Sequence, residues 1–186
     1  KSLTEFPQEI LNFPNLEILS LDNNKIKQIP MSISLLKNLR ELNMRNNELT
    51  ELPTSIGALA NLHVLDCSMN KITKIPAEIG KLTALERLSL NDNQLTVLPA
   101  DISKMEKLTT LTLNNNKITS LPVDVFKMEG LAQIDISNNQ IASIPADIAG
   151  LKGLKILQLG GNQIKIVPNE IGSLAKLERL ELKDNQ

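Results

Sequence analysis

The chain has 186 residues and a formal net charge of −1, because 20 Lys and Arg residues nearly balance 21 Asp and Glu residues. No long run of one sign occurs, which argues against a nucleic-acid-binding tail or a basic membrane patch. Aromatic residues make up 2% of the chain and include no Trp or Tyr, so the stacking side chains of single-stranded nucleic-acid binders are missing. No apolar stretch approaches the roughly 18 residues of a membrane span. We therefore expect neither nucleic-acid binding nor membrane insertion.

The chain contains one cysteine, Cys67, and one histidine, His63. A single cysteine cannot form an internal disulfide, and no Asn is followed two positions later by Ser or Thr to make an N-glycosylation acceptor. These features favour a reducing compartment, and we predict a cytoplasmic protein. His63 and Cys67 lie four residues apart, roughly 13 Å along an extended strand. That separation is too large for a base to activate a nucleophile, so we predict no enzymatic activity.

A period of 23 residues organises the whole chain. The unit reads LxxLxLxxNxLxxLPxxIxxLxx, without an insertion anywhere. One Asn recurs at the same position of each unit: Asn24, Asn47, Asn70, Asn93, Asn116, Asn139, Asn162 and Asn185. One Pro keeps the same step: Pro7, Pro30, Pro53, Pro76, Pro99, Pro122, Pro145 and Pro168.

In chain order, each unit begins with an LxL segment that predicts a short strand, because alternate residues point to the same face of a strand. In one unit Leu42 and Met44 are predicted to face the core. The Asn that follows bends the chain, and its amide is predicted to bond backbone groups of its own and neighbouring turns. The LPxxI segment then predicts a short helix with Pro at its first position and an acid, such as Glu78, in its first turn.

Several polar clusters have a structural explanation in this repeat. The acid and amide clusters at Asp22 and Asn91 lack the Gly and the closing Glu of an EF-hand loop, so we predict no metal site and no cofactor. Gly160 and Gly161 match no phosphate-binding loop, and we expect them to relieve crowding at a strand end.

We predict one repeat array over residues 1–186. Its ends carry core-type residues, so we expect a fragment of a longer array. We also expect the last ladder residue, Asn185, to matter less for stability than Asn93 or Asn116, because no turn follows it in this sequence. The predicted division is a partial repeat at 1–15, full repeats at 16–38, 39–61, 62–84, 85–107, 108–130, 131–153 and 154–176, and a partial repeat at 177–186.

The 23-residue unit with its LPxxI turn resembles the leucine-rich repeat family, and in particular its intracellular branch. Similar arrays occur in Ras-pathway scaffolds, in Scribble- and Erbin-like proteins and in Roco proteins. The resemblance implies an α/β solenoid: a right-handed horseshoe with a concave parallel β-sheet and short helical or 3₁₀ turns on the convex side. It also implies a protein partner, such as a small GTPase, a phosphatase or a kinase.

The outward side of the sheet is the candidate binding surface. Positions before, between and after the two strand leucines are free of the repeat's structural demands, and eight strands about 4.8 Å apart span roughly 34 Å. Charge of both signs is densest in the second to fourth repeats, which favours a polar protein partner; the alternative is a solvated face that only keeps the protein soluble. The predicted partner-binding residues are Arg40, Glu41, Arg45, Asp66, Arg87, Ser89, Asn91, Thr112 and Asp135.

The sequence therefore predicts a protein–protein interaction module or scaffold in signalling, which binds its partner through the concave β-sheet face. Two alternatives remain open. The array could be the recognition arm of a larger signalling enzyme, namely a Roco-type GTPase, a kinase or a phosphatase, or it could be a structural component of a large assembly bound along its helical side or its edges.

Overall fold

The computed structural model describes residues 2–186, which form one open sheet of eight short parallel strands, each preceded by a 3₁₀ helix. The strands β1–β8 are Ile18–Ser20, Glu41–Asn43, Val64–Asp66, Arg87–Ser89, Thr110–Thr112, Gln133–Asp135, Ile156–Gln158 and Arg179–Glu181. The helices η1–η8 are Gln8–Asn12, Met31–Leu35, Thr54–Ala58, Ala77–Lys81, Ala100–Lys104, Val123–Lys127, Ala146–Gly150 and Asn169–Ser173.

The strands follow one another across the sheet in sequence order, and every pair has the same register. Leu19 pairs with Leu42, and Leu42 pairs with Leu65, so each strand residue lies beside the residue 23 positions further on. Because register and sequence period are equal, equivalent side chains stack in rows along the solenoid. The sheet forms the concave side of a right-handed horseshoe and the 3₁₀ helices form its convex side, which confirms the predicted fold.

Alternate strand residues fill one continuous hydrophobic core. Leu42 and Met44 are fully buried, as their positions predicted. Cys67 occupies the same position as Met44 one repeat later and is also fully buried. Apart from Ser68 and six Asn of the 23-residue ladder, no polar or charged side chain is buried among residues 2–186, so the core gains its stability from apolar contact.

Each 3₁₀ helix starts directly after the repeated Pro. Pro30, for example, precedes η2 with φ −71° and ψ 153°, and its carbonyl accepts a 3.0 Å hydrogen bond from the Ile33 amide. The prediction that Pro is the first helical residue is therefore wrong by one position, because the extended ψ keeps Pro outside the helix. An acid occupies the first turn in six of the helices, as at Glu78 and Asp101. Backbone amides at a helix start favour this negative charge.

The repeated Asn side chains join each turn to the one before it. Asn116 accepts a 2.9 Å hydrogen bond from the Leu95 amide and donates to the Leu90 carbonyl at 3.0 Å, both in the preceding repeat, and to the Leu113 carbonyl at 2.9 Å in its own. The predicted ladder is therefore confirmed. The reason given for a weaker role of Asn185 is wrong, because Asn185 makes the same bonds to the preceding repeat through the Ile164 amide.

The residue before each ladder Asn adopts a left-handed backbone, a feature that the repeat reading did not anticipate. We call these eight positions the left-handed row. Asn, Asp and Gly suit this conformation, because other side chains crowd their own backbone there. Met69, at φ 54°, departs from that preference, and Gly161, at φ 66°, follows it. The row consists of Asn23, Asn46, Met69, Asp92, Asn115, Asn138, Gly161 and Asp184.

Candidate functional site

The nine predicted binding residues all lie on strands β2–β6 or within two residues of them. In each of these strands the central residue is buried and its two neighbours are exposed or half-buried, so those neighbours face outward from the core. The exposed members are Arg40, Glu41, Arg45 and Arg87. The half-buried members are Asp66, Ser89, Asn91, Thr112 and Asp135.

The strand register brings four of the nine residues into one continuous row. Asp66 pairs with Ser89, Ser89 with Thr112, and Thr112 with Asp135, at successive strands of the sheet. This row presents hydroxyl groups between two carboxylates, so it can donate and accept hydrogen bonds but contains no apolar side chain.

A second row of the sheet contains Glu41 and Arg87, which do not meet. Val64 lies between them in the register and is half-buried. Strands lie about 4.8 Å apart, so the two opposite charges are separated by two strand spacings and face solvent independently. Arg40 lies outside both rows, and its Nε forms an exposed ion pair with Glu17 at 3.3 Å.

Asp66, Ser68 and Arg45 form a hydrogen-bonded group, the Asp66 cluster, at the exit of strands β2 and β3. The Ser68 hydroxyl donates to Asp66 Oδ1 at 2.5 Å, and the Ser68 amide donates to the same oxygen at 2.9 Å. Arg45 Nη1 donates to Ser68 Oγ at 3.4 Å. The cluster fixes the Asp66 carboxylate on a rigid strand end while Arg45 remains exposed. Ser68 lies directly after the second core residue of its strand, at one of the positions predicted to face outward, yet its side chain is buried.

Asp135 and Ser137 repeat part of this arrangement three units later. The Ser137 hydroxyl donates to Asp135 Oδ1 at 2.6 Å, and the Ser137 amide donates to it at 3.0 Å. An Asp followed two positions later by Ser is the sequence signal for this geometry, since the short side chains reach each other across one residue. No Arg lies at the position equivalent to Arg45 here, because Asn114 occupies it.

A third polar group lies at the last two strands and was not predicted. Gln158 Nε2 donates to Glu181 Oε2 at 3.1 Å, and Arg179 pairs with the other Glu181 oxygen. The Gln158 hydrogen bond, and next the Arg179 guanidinium, lower the pKa of Glu181 below its ordinary value. Glu181 therefore carries a negative charge at neutral pH and is held against the sheet.

The lone thiol and the lone imidazole do not form a reactive pair in the structure. Cys67 is fully buried, and burial raises the pKa of its thiol far above the ordinary value, which keeps it protonated and inert. The His63 ring is half-buried, and its Nδ1 hydrogen-bonds the Asn61 carbonyl at 2.6 Å. Among residues 2–186, no group of three or more His, Cys, Asp or Glu side chains is arranged to hold a metal ion.

The convex helical side carries local ion pairs at a spacing of three residues. Lys127 pairs with Asp124 at 2.7 Å, and Lys104 pairs with Asp101. Asp124 raises the pKa of Lys127, and Lys104 lowers the pKa of Asp101. All four side chains are largely or partly exposed, so these pairs contribute little to stability and serve mainly as a charged solvent face.

Sequence comparison assigns the chain to a family. The family model for a leucine-rich repeat region matches residues 34–115, and two further leucine-rich repeat family models match residues 106–164 and 15–36. The chain belongs to the leucine-rich repeat family. A comparison with curated protein sequences finds no match. Leucine-rich repeat proteins generally mediate protein–protein interactions, and the fold is typical of non-enzymatic interaction modules.

Solved structures of leucine-rich repeat proteins are similar to the chain over nearly its whole length. A leucine-rich repeat protein of Leptospira interrogans is 33% identical and matches 100% of this chain and 59% of its own, with a TM-score of 0.65. The plant peptide hormone receptor RGFR1, in complex with RGF2, is 28% identical over 98% of this chain and 30% of its own, with a TM-score of 0.89. The Arabidopsis receptor kinase HAESA, in complex with the peptide hormone IDA and the co-receptor SERK1, is 29% identical over 98% of this chain and 32% of its own, with a TM-score of 0.85.

The chain thus spans between 30% and 59% of the length of these three structures. One of them is a peptide hormone receptor in complex with RGF2, and another is a receptor kinase in complex with a peptide hormone and a co-receptor, so leucine-rich repeat neighbours of this chain do bind protein partners. Within residues 2–186, no helix has the length and apolar character needed to cross a membrane.

Proposed function

We propose that this leucine-rich repeat array is a binding module that engages a protein partner through its concave sheet. The observation that carries the proposal is the outward polar surface of β2–β6, where residues of both charges lie on a backbone anchored by buried Leu and Ile side chains. A surface held rigid by its core loses little conformational entropy on binding, which favours affinity. Complementary charges would accelerate the encounter and orient the partner.

The partner suited to this surface is a folded protein or segment with charges of both signs. Arg45 and Arg87 offer guanidinium groups to carboxylates, while Glu41 and Asp66 offer carboxylates to basic side chains. The row from Asp66 to Asp135 adds hydroxyl groups for hydrogen bonds. We further propose, from the LPxxI turn and the single cysteine, that the module acts in a cytoplasmic scaffold or signalling protein.

The test compares two sets of charge reversals that are matched in number. The concave set reverses Glu41, Arg45, Asp66 and Arg87, and the convex set reverses Glu78, Lys81, Asp101 and Lys104. A protein captured by the wild-type chain from a lysate of cells that express it is purified and titrated against both sets, while circular dichroism confirms that each variant remains folded.

We expect the concave set to weaken binding at least about 30-fold, since truncation of a central interface residue costs roughly 2 kcal/mol. The convex set should change the affinity less than about threefold. Loss of binding in the convex set alone would contradict the proposal and favour a structural role bound along the helical side. Catalytic turnover that disappears on His63→Ala would contradict the assignment as a binding module.

A further inference from the structure

An apolar cavity of about 230 Å³ lies inside the solenoid between the repeats at 108–130 and 131–153. It is lined by inward side chains of β6 and β7, including Ile134 and Leu157, and by Ile148 of η7. Ser120 and Ser143 are the exposed hydroxyl residues of the lining, so we place the mouth of the cavity beside them. Thirteen residues line the cavity, and none of them is charged.

The cavity is explained by Phe126, which occupies a position that is small in the other full repeats. The small equivalents are Ser34, Gly57, Gly80, Ser103, Ala149 and Gly172, and the equivalent in the partial repeat at 1–15 is Leu11. Consecutive turns pack closely at this position, since a Cβ on Gly57 would lie 2.5 Å from the carbonyl oxygen of Glu78. The Phe126 ring is nonetheless buried, so it fills space between turns η6 and η7. Phe126 also lines an open cleft on the convex side of the same junction, which is expected if its ring holds the two turns apart.

The glycines of the following turn lie close to the backbone of the Phe126 turn. A Cβ on Gly150 would lie 2.2 Å from the carbonyl oxygen of Phe126, and a Cβ on Gly153 would lie 2.2 Å from that of Glu129. The two turns therefore approach each other closely at Gly150 and Gly153, as other turns do at Gly57 and Gly80. The cavity-lining residues Leu121 and Ile144 lie just before helices η6 and η7.

Solvent exposure shows the same opening. Leu121 is half-buried, whereas its equivalents Leu52 and Leu98 are 4% and 2% exposed. A void of this kind loses contacts that the rest of the core makes, so the junction gains from an occupant of matching shape.

We propose that this cavity binds a small neutral molecule with an apolar body and one hydroxyl or carbonyl group. The uncharged lining excludes an ionised ligand, which would lose its hydration without compensation. The Ser120 and Ser143 hydroxyls at the mouth can hydrogen-bond a single polar end, while the aliphatic walls contact the body. A 150 Å³ apolar cavity holds benzene, so a volume of about 230 Å³ corresponds to about nine non-hydrogen atoms.

1-Octanol has this size and chemistry and is the probe. Titration of the whole chain, followed by calorimetry and by protein-detected nuclear magnetic resonance, should show saturable binding at one site, with the largest shifts in the methyl groups of Ile144 and Leu159. Glycerol, which lacks an apolar body, should not bind.

Two variants place an indole at the mouth, Ser143→Trp and Ser120→Trp, at the same position of the two repeats. Lys74→Trp is the matched control, since Lys74 occupies the same repeat position two units before Ser120 and does not line the cavity. The plugged variants should bind 1-octanol at least about tenfold more weakly than wild type, and the control should bind as wild type does. Circular dichroism confirms the fold of each variant. If Ser143→Trp does not fold, Ser120→Trp provides the same test.

Non-saturable binding to wild type, or equal affinity in the plugged and control variants, would overturn the proposal. If 1-octanol does not bind but an apolar side chain of a captured protein protects the same methyl groups, the cavity is a protein contact and the small-molecule site is refuted. The result is independent of the concave surface, because no residue of the charge-reversal sets lines the cavity.

Discussion

Removal of one interior ladder amide, by Asn116→Ala, should cost about 2–4 kcal/mol of unfolding free energy. The Leu95 amide loses its acceptor at 2.9 Å and, on a fully buried residue, has no water to replace it. The Leu90 and Leu113 carbonyls each lose one donor but keep another, from Asn93 and Asn139 respectively. The cost is therefore that of one unsatisfied buried amide together with two weakened hydrogen bonds.

The matched variants are Asn185→Ala and Asn114→Ala. Asn185 makes the same kinds of bonds, but its side chain is half-buried, so water can replace them and the loss should be about 1 kcal/mol or less. Asn114 lies on the outward surface, and its replacement should change stability by less than about 0.5 kcal/mol.

Urea unfolding followed by circular dichroism gives all three values, since the chain has no Trp or Tyr for intrinsic fluorescence. Equal losses for Asn116→Ala and Asn114→Ala would refute the view that the buried amide joins the turns. A loss at Asn185 as large as at Asn116 would refute the role assigned to solvent.

Three further substitutions test local features of the repeat. Met69→Asn should raise the unfolding free energy by about 1 kcal/mol, because Asn tolerates the left-handed backbone that strains Met. The gain should appear as a higher urea midpoint, and Met69→Ala should give no such gain. The Cys67 thiol should react with a disulfide reagent at less than about a thousandth of its rate in urea, since only opened molecules expose it. Gly80→Ala should cost about 1–3 kcal/mol in urea unfolding, because its Cβ would lie 2.3 Å from the Asp101 carbonyl oxygen. Gly172→Ala should be neutral in the same assay, because no atom lies within 4 Å of its Cβ.

The fold follows from the sequence because its information is periodic. A strict 23-residue step requires equivalent residues to stack, and the alternation around Leu42 and Met44 then determines which side of each strand is buried. The buried role of Cys67 follows in the same way from its position, without any knowledge of its neighbours in space.

A period does not show in which direction an interaction runs. The ladder amides were expected to depend on the following turn, yet Asn116 bonds Leu90 and Leu95 of the preceding one. A repeat read along the sequence is equally consistent with both directions, and only the backbone geometry distinguishes them.

The sequence predicts which rows of the sheet face outward, but it does not predict which side chains in the candidate site contact one another. Outward positions follow from strand alternation, so all nine predicted residues lie at or beside the strands. Which side chains meet depends on rotamers, and the register therefore did not reveal that Ser68 would be buried against Asp66 and receive Arg45. The left-handed row has a signal in the sequence, because Asn, Asp and Gly recur there directly before the ladder Asn.

Residues that depart from the repeat pattern are candidates for a functional role, because the fold itself explains the residues that follow the pattern. Met69 and Phe126 are costly in local terms, the first through a left-handed backbone and the second through an aromatic ring at a small-residue position. Equivalent positions in neighbouring units show residues that avoid both costs, so the fold does not require either. Met69 directly follows Ser68 of the Asp66 cluster, and Phe126 lines the apolar cavity. The two departures thus lie beside the two proposed binding sites, where a contact with a partner or ligand can offset the cost that each imposes on the free chain.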